Sequence, residues 1–295
     1  MKIIECVPNV SEGRNRDTID EIVKVLREAD RVKLLDVCVD PDHNRTVLTF
    51  VGTPKAVEKG ALAVSRKVLD LIDMSLHRGV HPRIGAVDVV PFVPLRGATM
   101  DDAVEAAHRC GFALGKRCKV PVYFYGEAAR DSRRRDLATV RRGGYEGLKD
   151  RLNDPAWAPD AGPALFNPRS GAVAVGAREP LVAFNINLSS HNLQIAKNIA
   201  RSIRESGGGL PHVKAMGVPL KSRNIVQVST NLTNYRITSL LMVFDKVKDM
   251  ADRHGVSILE SELVGLIPEE ALEGVSPGYL KLSGFSPDRI IETHL

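Results

Sequence analysis

The segment Gly79-Val80-His81-Pro82-Arg83-Ile84-Gly85-Ala86-Val87-Asp88 gathers a histidine, an arginine and an aspartate where an apolar run, Val-Val-Pro-Phe-Val-Pro-Leu, begins. Imidazole titrates near pH 6.5, so beside a fixed cation and a carboxylate it can take or give a proton at about neutral pH. Pro82 bars His81 from helical backbone and pushes it toward an extended one. Side chains alternate along a strand, which predicts His81 and Arg83 on one face. Asp88, at an odd separation, then points the other way unless Gly85 introduces a bulge or bend. A satisfied polar cluster at a strand end is the plainer reading; proton transfer by His81 is the one these three residue types favour.

A second polar concentration is Asp40-Pro41-Asp42-His43-Asn44-Arg45-Thr46. Asp, Pro and Asn are turn formers, which accounts for Asp40 to Asp42 but requires neither His43 nor Arg45. Glu5 and Asn9 lie at or near the end of the first apolar strand, and Asn185 and Asn187 hold equivalent places later. Polar groups inside apolar strands need partners, so these four could line a cleft. Glu127 and Arg130, after Val122-Tyr-Phe-Tyr-Gly, reach one strand edge. His77, His108, His191, His212, His254 and His294 lack metal-ligand spacing and read as surface residues. The four cysteines show no paired spacing either, so they are expected to be free thiols and no metal is expected.

The elements that must position these groups form one pattern used twice. Lys2 to Val10 and Leu181 to Leu188 read as opening strands, each followed by serine as a cap signal. Helices then carry Ile19, Ile22, Val23 and Leu26 in the first half, and Ala196, Ile199, Ala200 and Ile203 in the second. Two strands joined by a polar turn follow: Leu34 to Val39 and Arg45 to Val51, then Val213 to Val218 and Ile225 to Thr230. Next come helices bearing Val57, Ala61, Val64 and Val68, or Ile237, Leu240, Leu241, Phe244 and Val247. Strands Val87 to Val93 and Ser257 to Leu266 close each unit. The order β-α-β-β-α-β predicts an α+β protein of two ferredoxin-like subdomains, 1–178 and 179–295, with a cleft between them. The first half adds a helix from about 101 to 119, capped by Thr99, and a strand from Val120. Between the halves, Asp154 to Glu179 is rich in Pro and Gly, a linker or functional loop, with 172–177 a possible strand.

Composition narrows the function classes. With 295 residues, 43% of them hydrophobic and 26% charged, the chain suits a globular protein with a substantial core. Met1-Lys-Ile-Ile followed by Glu5 gives no secretory leader, and no apolar run spans a membrane, so a cytoplasmic location is expected. The net charge of +5 is too mild to name a partner. The run Arg130 to Arg142 reads as a solvated basic face or a site for a small polyanion; lacking interleaved aromatics, it does not suit nucleic acid. Neither a dinucleotide fingerprint nor a phosphate loop is present.

The chain resembles the formiminotransferase domain of glutamate formiminotransferases, including the bifunctional formiminotransferase–cyclodeaminases. The resemblance is carried by Glu5-Cys-Val-Pro-Asn-Val-Ser-Glu-Gly-Arg, Asn44-Arg-Thr-Val-Leu-Thr-Phe-Val-Gly and Leu71 to Val89, which includes Gly79-Val-His-Pro-Arg. Val122-Tyr-Phe-Tyr-Gly-Glu-Ala-Ala-Arg, Trp157-Ala-Pro-Asp-Ala-Gly-Pro, Ala183-Phe-Asn-Ile-Asn-Leu and Val226-Gln-Val-Ser-Thr-Asn-Leu extend it over both halves.

The resemblance implies transfer of the formimino group of N-formiminoglutamate to N5 of tetrahydrofolate, a folate co-substrate, in histidine degradation, by a homodimer. It assigns catalysis to His81, and folate binding to Gly162-Pro163-Ala164-Leu165-Phe166-Asn167-Pro168-Arg169-Ser170-Gly171. Arg45 and Arg83 suit the two substrate carboxylates. Asn44, Asp88, Asn9, Glu5 and Asp40 complete the candidate substrate-binding set. Vertebrate members carry an acidic residue where Cys38 stands, which leaves Asp36, Asp40 or Asp88 to supply a carboxylate. With Leu295 closely following Phe285-Ser-Pro-Asp-Arg-Ile-Ile-Glu, the cyclodeaminase domain of the bifunctional members is expected to be absent. Transfer of a formyl group from N-formylglutamate is the nearest alternative, and non-catalytic folate binding a further one.

Overall fold

Pro8 lacks the amide hydrogen that a continuous central strand needs, and the opening strand is split around it into β1 (Ile4–Cys6) and β2 (Asn9–Val10). The computed structural model describes residues 1–79 and 81–295. Helix α1 (Arg16–Arg27) follows, then β3 (Val32–Asp40), β4 (Arg45–Gly52), α2 (Pro54–Leu71), β5 (Val87–Pro94), α3 (Met100–Cys118) and β6 (Val122–Gly126). Short helices α4 (Leu137–Val140) and α5 (Leu148–Leu152) precede β7 (Val173–Ala177). The remainder is β8 (Val182–Leu188), α6 (Leu193–Ile203), β9 (Val213–Leu220), β10 (Ile225–Leu232), α7 (Leu240–Arg253) and β11 (Ile258–Val264). The protein is α+β, with one seven-stranded and one four-stranded sheet, in two compact units, Met1–Arg178 and Glu179–Leu295. Among the described residues no helix is long and apolar enough to cross a membrane.

The helices form where apolar periodicity and caps agree. In α1, Ile19, Ile22, Val23 and Leu26 are the buried stripe, as their spacing predicts, and Asn15 caps it by accepting the Thr18 amide. Ser11 is not that cap. Its hydroxyl donates to the Gly85 carbonyl, tying the start of the chain to the segment after His81. Thr99 and Asp102 form a reciprocal capping box on α3. In the second unit Asn192, rather than Ser189 or Ser190, caps α6, and Ile237 lies ahead of α7 and is half exposed, because Ser239 starts that helix.

In the first unit, β3–β4–(β1, β2)–β5 are antiparallel neighbours, and β7 joins β5 to β6 by parallel pairing. One sheet face packs against α1, α2 and α3 through Leu48, Phe50, Val90 and Phe92. The other carries Val89, Tyr123, Tyr125 and Ala174 under Val140, Leu148 and Leu152. The Pro/Gly-rich stretch therefore belongs to the first unit: Ala161 bridges Val122, Gly171 bridges Gly85, and β7 fills the sheet. In the second unit the antiparallel order β11–β8–β10–β9 has α6 and α7 on one face.

Two expectations about the histidine segment are corrected. Residues 81–86 form a loop rather than a strand, so His81 and Arg83 share no strand face. The bulge sits at Asp88 itself: Val87 pairs with Val10 and Val89 with Asn9, leaving Asp88 as the extra residue on β5. Gly85 serves a different end. A Cβ there would lie 2.2 Å from the Ala172 carbonyl oxygen and 2.5 Å from that of Ser170. Gly85→Ala is therefore expected to cost about 1–3 kcal/mol through backbone displacement. Gly208→Ala, where nothing lies within 4 Å, should cost about 1 kcal/mol, for its positive φ alone. Denaturant unfolding followed by fluorescence of Trp157, the chain's one tryptophan and a residue of the same unit as Gly85, checks the first, and the larger shift of that transition is expected for Gly85→Ala.

Candidate active site

His81 lies in the loop that leads into β5, and both of its ring nitrogens are engaged. Nε2 is 2.6 Å from Nη1 of Arg45, and Nδ1 is 2.7 Å from the Pro82 carbonyl oxygen. A guanidinium only donates, so Nε2 accepts and Nδ1–H donates to Pro82, which makes His81 a neutral imidazole. Burial pushes its pKa well below the ordinary histidine value, and the positive charges of Arg45 and Arg141 push the same way. The residue as a whole is only partly buried.

Arg45 opens β4 and pairs in register with Asp40 at the end of β3. Alternation places it with Val47, away from the helix-facing Leu48 and Phe50. Burial and the nearby charge of Arg141 lower its pKa, and its buried Nε has no hydrogen-bond partner among the described residues. No carboxylate among those residues lies within ion-pair distance of it. A guanidinium taken from water without an anion is costly, and a ligand carboxylate would satisfy it.

Two other arginines near the loop have carboxylate partners. Arg83 makes a bidentate pair with Glu146 at 3.0 and 2.7 Å, and donates through Nε to Nδ1 of His77 at 3.1 Å. Arg141 is paired with Asp88, which is 1% exposed and also accepts the Ile84 amide at 3.0 Å. Asp88 thus clamps the loop after His81 to the segment that covers the sheet. The arginine run divides: Arg130, Arg133, Arg135 and Arg142 are exposed, as a solvated basic face expects, while Arg134 and Arg141 are drawn into the protein. Arg134 is buried against Asp160 with its guanidinium over the Tyr123 and Trp157 rings, and Arg133 and Arg135 pair with Asp131 and Glu127.

Of the remaining candidates, Asp40 joins the site: it accepts both the backbone amide and Nδ1 of His43. Burial works against its ionisation, but the His43 hydrogen bonds and the Arg45 charge outweigh it and hold its pKa below the usual range. Asn44 does not present its amide to a ligand. In left-handed backbone, it accepts from the Gly13 amide and donates to the Arg78 carbonyl. Asn9 donates to the carbonyl of Val7, and Glu5 is buried in β1 between β4 and β5.

Sequence reading missed His43, His77 and Arg141. His77 is no surface residue: it is 7% exposed, its Nε2–H donates to the Asn44 carbonyl, and burial lowers its pKa. The presence of His43 three residues after Asp40 was a usable signal, whereas nothing in the spacing pointed to Arg141. Among the described residues no group of three or more His, Cys, Asp or Glu is placed to hold a metal ion.

The segment 162–171 has one pinned half and one exposed half. Gly162 and Gly171 adopt positive φ, and their Cα atoms lie against Val120 and Ile84 of the protein itself, so their freedom serves packing. The carbonyls of Pro168, Arg169 and Ser170 accept from Tyr145, Met74 and Ala86. Arg169 pairs with Asp73 at 3.3 Å, while Leu165 is 70% exposed and the Phe166 ring tilts over Tyr145.

Comparison with known proteins gives this arrangement a context. Residues 3–178 match the model of the formiminotransferase domain, N-terminal subdomain, and residues 183–286 that of the formiminotransferase domain. The chain is 45% identical over 294 residues to a glutamate formimidoyltransferase of Thermoplasma acidophilum, covering 99% of this chain and 97% of that one. It is 42% identical over 295 residues to one of Streptococcus pyogenes, covering 100% and 99%. A formimidoyltransferase-cyclodeaminase of Sus scrofa is 47% identical over 277 residues, which cover 92% of this chain and 51% of the longer protein. With both units matched and the histidine–arginine pair in place, the chain belongs to the formiminotransferase domain family.

Proposed function

We propose that this protein is a glutamate formimidoyltransferase that moves the formimino group of N-formimino-L-glutamate to N5 of tetrahydrofolate, giving glutamate and 5-formiminotetrahydrofolate in histidine degradation. The observation that carries this reading is Arg45, a buried guanidinium with no anionic partner among the described residues, held against the neutral imidazole of His81. Formiminoglutamate brings two carboxylates, and one of them suits this cation. The full-length relatives that bear the name glutamate formimidoyltransferase support the same reading.

The reaction exchanges one C–N bond for another. N5 attacks the amidine carbon, loses its proton, and the glutamate nitrogen leaves with a proton. His81 suits both transfers because its ring is neutral at pH 7 and its Nδ1–H is anchored on Pro82. A substrate carboxylate engaging Arg45 would draw the guanidinium from Nε2 and leave that lone pair for the N5 proton. Arg83, bound to Glu146, acts as a support for the loop in this reading, and Asp88 with Arg141 fixes the loop's height.

Folate contact is assigned to the exposed stretch 163–167, with Leu165 and Phe166 against the rings. Both units are read as ferredoxin-like. In the first the strands run β3, β4, β1/β2, β5, in the second β9, β10, β8, β11, and each has the order 2-3-1-4 of a split βαβ arrangement. The homodimer and the cytoplasmic setting rest on the family alone.

The decisive assay is turnover with formiminoglutamate and formylglutamate side by side, each with tetrahydrofolate. Formiminoglutamate should be the better donor; preference for formylglutamate would replace the assignment. His81→Ala should lower kcat by roughly 10²–10⁴-fold while folate binding, measured by calorimetry, persists. Folate should slow amide exchange in 163–167 more than in 168–171, which is already bonded to the protein.

The pH dependence has a defined sign. His81 titrates below its ordinary value, so the base form persists as pH falls, and the acid limb of kcat/KM should lie below about 6.5. Arg45→Ala removes one of the charges behind that shift. It should move the limb up toward 6.5 and raise KM for the amino-acid substrate. An unmoved limb would show that Arg45 does not govern His81.

A further inference from the structure

We propose that the Asp40–His43 pair is a second proton-transfer group of this site, sharing with His81 the two proton movements that the reaction requires. This rests on the formimino-transfer reading and adds a residue to it. One proton leaves N5 as it attacks, and one reaches the glutamate nitrogen as the C–N bond breaks. The two nitrogens are different substituents of the same tetrahedral carbon, so two bases placed side by side serve them with less rearrangement than one.

The geometry supplies such a pair. In the free protein both His81 nitrogens are engaged, Nε2 by Arg45 and Nδ1 by Pro82. The His43 ring lies edge-to-face with that of His81, with centroids 6.0 Å apart. Its Nδ1 meets the Asp40 carboxylate, which only accepts, so Nδ1 carries hydrogen and Nε2 carries the lone pair. Among the described residues Nε2 has no hydrogen-bond partner. A carboxylate on Nδ1 fixes the tautomer and stabilises the imidazolium that forms when Nε2 takes a proton. The lowered pKa of Asp40 keeps that carboxylate ionised.

Turn formation does not account for this pair, since a turn at Asp40 to Asp42 needs no imidazole at residue 43. His43 is 4% exposed, a degree of burial that a residue serving the turn alone does not need. The titratable and charged groups around the pair are Arg45 on β4, His81 in its loop, Cys38 on β3, and the Asp88–Arg141 clamp. The charges of Arg45 and Arg141 oppose protonation of His81, whereas at His43 the Asp40 carboxylate lies on Nδ1 to meet the charge that forms when Nε2 takes a proton. In the cycle, His81 takes the N5 proton at the Nε2 that Arg45 has released and passes it, directly or through water, to Nε2 of His43, which delivers it to the departing glutamate nitrogen. Both rings end neutral, as they began, so no net proton is gained or lost.

The test uses the full chain with formiminoglutamate and tetrahydrofolate, with kcat and KM measured across about pH 5 to 9. His43→Gln should lower kcat roughly 10²-fold, change KM by no more than about threefold, and remove one limb of the kcat–pH profile. Asp40→Asn should lose about tenfold in kcat and displace the same limb, and added imidazole should restore part of the kcat of His43→Ala. Circular dichroism and thermal unfolding report whether each variant is folded; should His43→Gln fail to fold, Asp40→Asn and the imidazole experiment carry the test. A folded His43→Gln with kcat within twofold of wild type and an unchanged profile overturns the proposal, as does a loss confined to KM. If His81→Ala is inactive while His43→Gln is fully active, the formimino-transfer reading stands and only this inference falls. A wild-type chain that turns over neither donor overturns both.

Discussion

The carboxylate of Asp88 is the fixed point of the first unit. It sits in the bulge of β5, shut away from water, accepts the Ile84 amide and binds Arg141. Losing one member of such a buried pair typically costs about 3–5 kcal/mol, because the other is left charged and unpaired. The bulge is what lets Asp88 leave the regular alternation of its strand and reach two partners at once. The loop bearing His81 on one side, and the helical segment covering the sheet on the other, both take their positions from it.

Around that point the arginines divide into two kinds. Arg83, Arg134 and Arg141 have carboxylates of their own and act as struts. Arg45 has none within ion-pair distance among the described residues, and the strongest charge acting on it is that of another cation, Arg141, opposed more weakly by Asp88 and Asp40. The free protein thus stores an electrostatic demand at one place, next to a histidine that the same positive field keeps neutral. Binding of an anion and release of the base are coupled through one guanidinium.

Much of this was legible in the sequence, and the limits have physical causes. Helix faces such as Ile19, Ile22, Val23 and Leu26 followed from periodicity, because burial and a 3.6-residue repeat are the same fact seen twice. His81 and Arg45 stood out as residue types that their surroundings did not require. The pairing of Arg83 could not be foreseen because its partner, Glu146, lies 63 residues away, and Arg141 was hidden because Asp88 lies 53 residues away. A run of arginines reads the same whether its carboxylates come from solvent-facing neighbours or from across the fold. The Asp40–His43 pair was half visible: the turn left His43 unexplained, but the spacing alone did not show that its ring meets the Asp40 carboxylate. The loop at 81–86 departed from the expected strand because Asp88, Ser11 and Ala172 bind its backbone in place of a neighbouring strand.

The place of β7 bears on the order in which the molecule can be made. Residues 173–177 are buried throughout and lie between β5 and β6, both of which leave the ribosome long before them. Until they emerge, β6 presents an unpaired edge, and the sheet has a slot where its last internal strand belongs. The unit ends immediately afterwards, at Arg178. The first unit is therefore assembled as a vault is, standing open until a late keystone drops in. A nascent chain halted a few residues short of that point would hold most of its helices, yet lack the strand that joins β6 to the rest of its sheet.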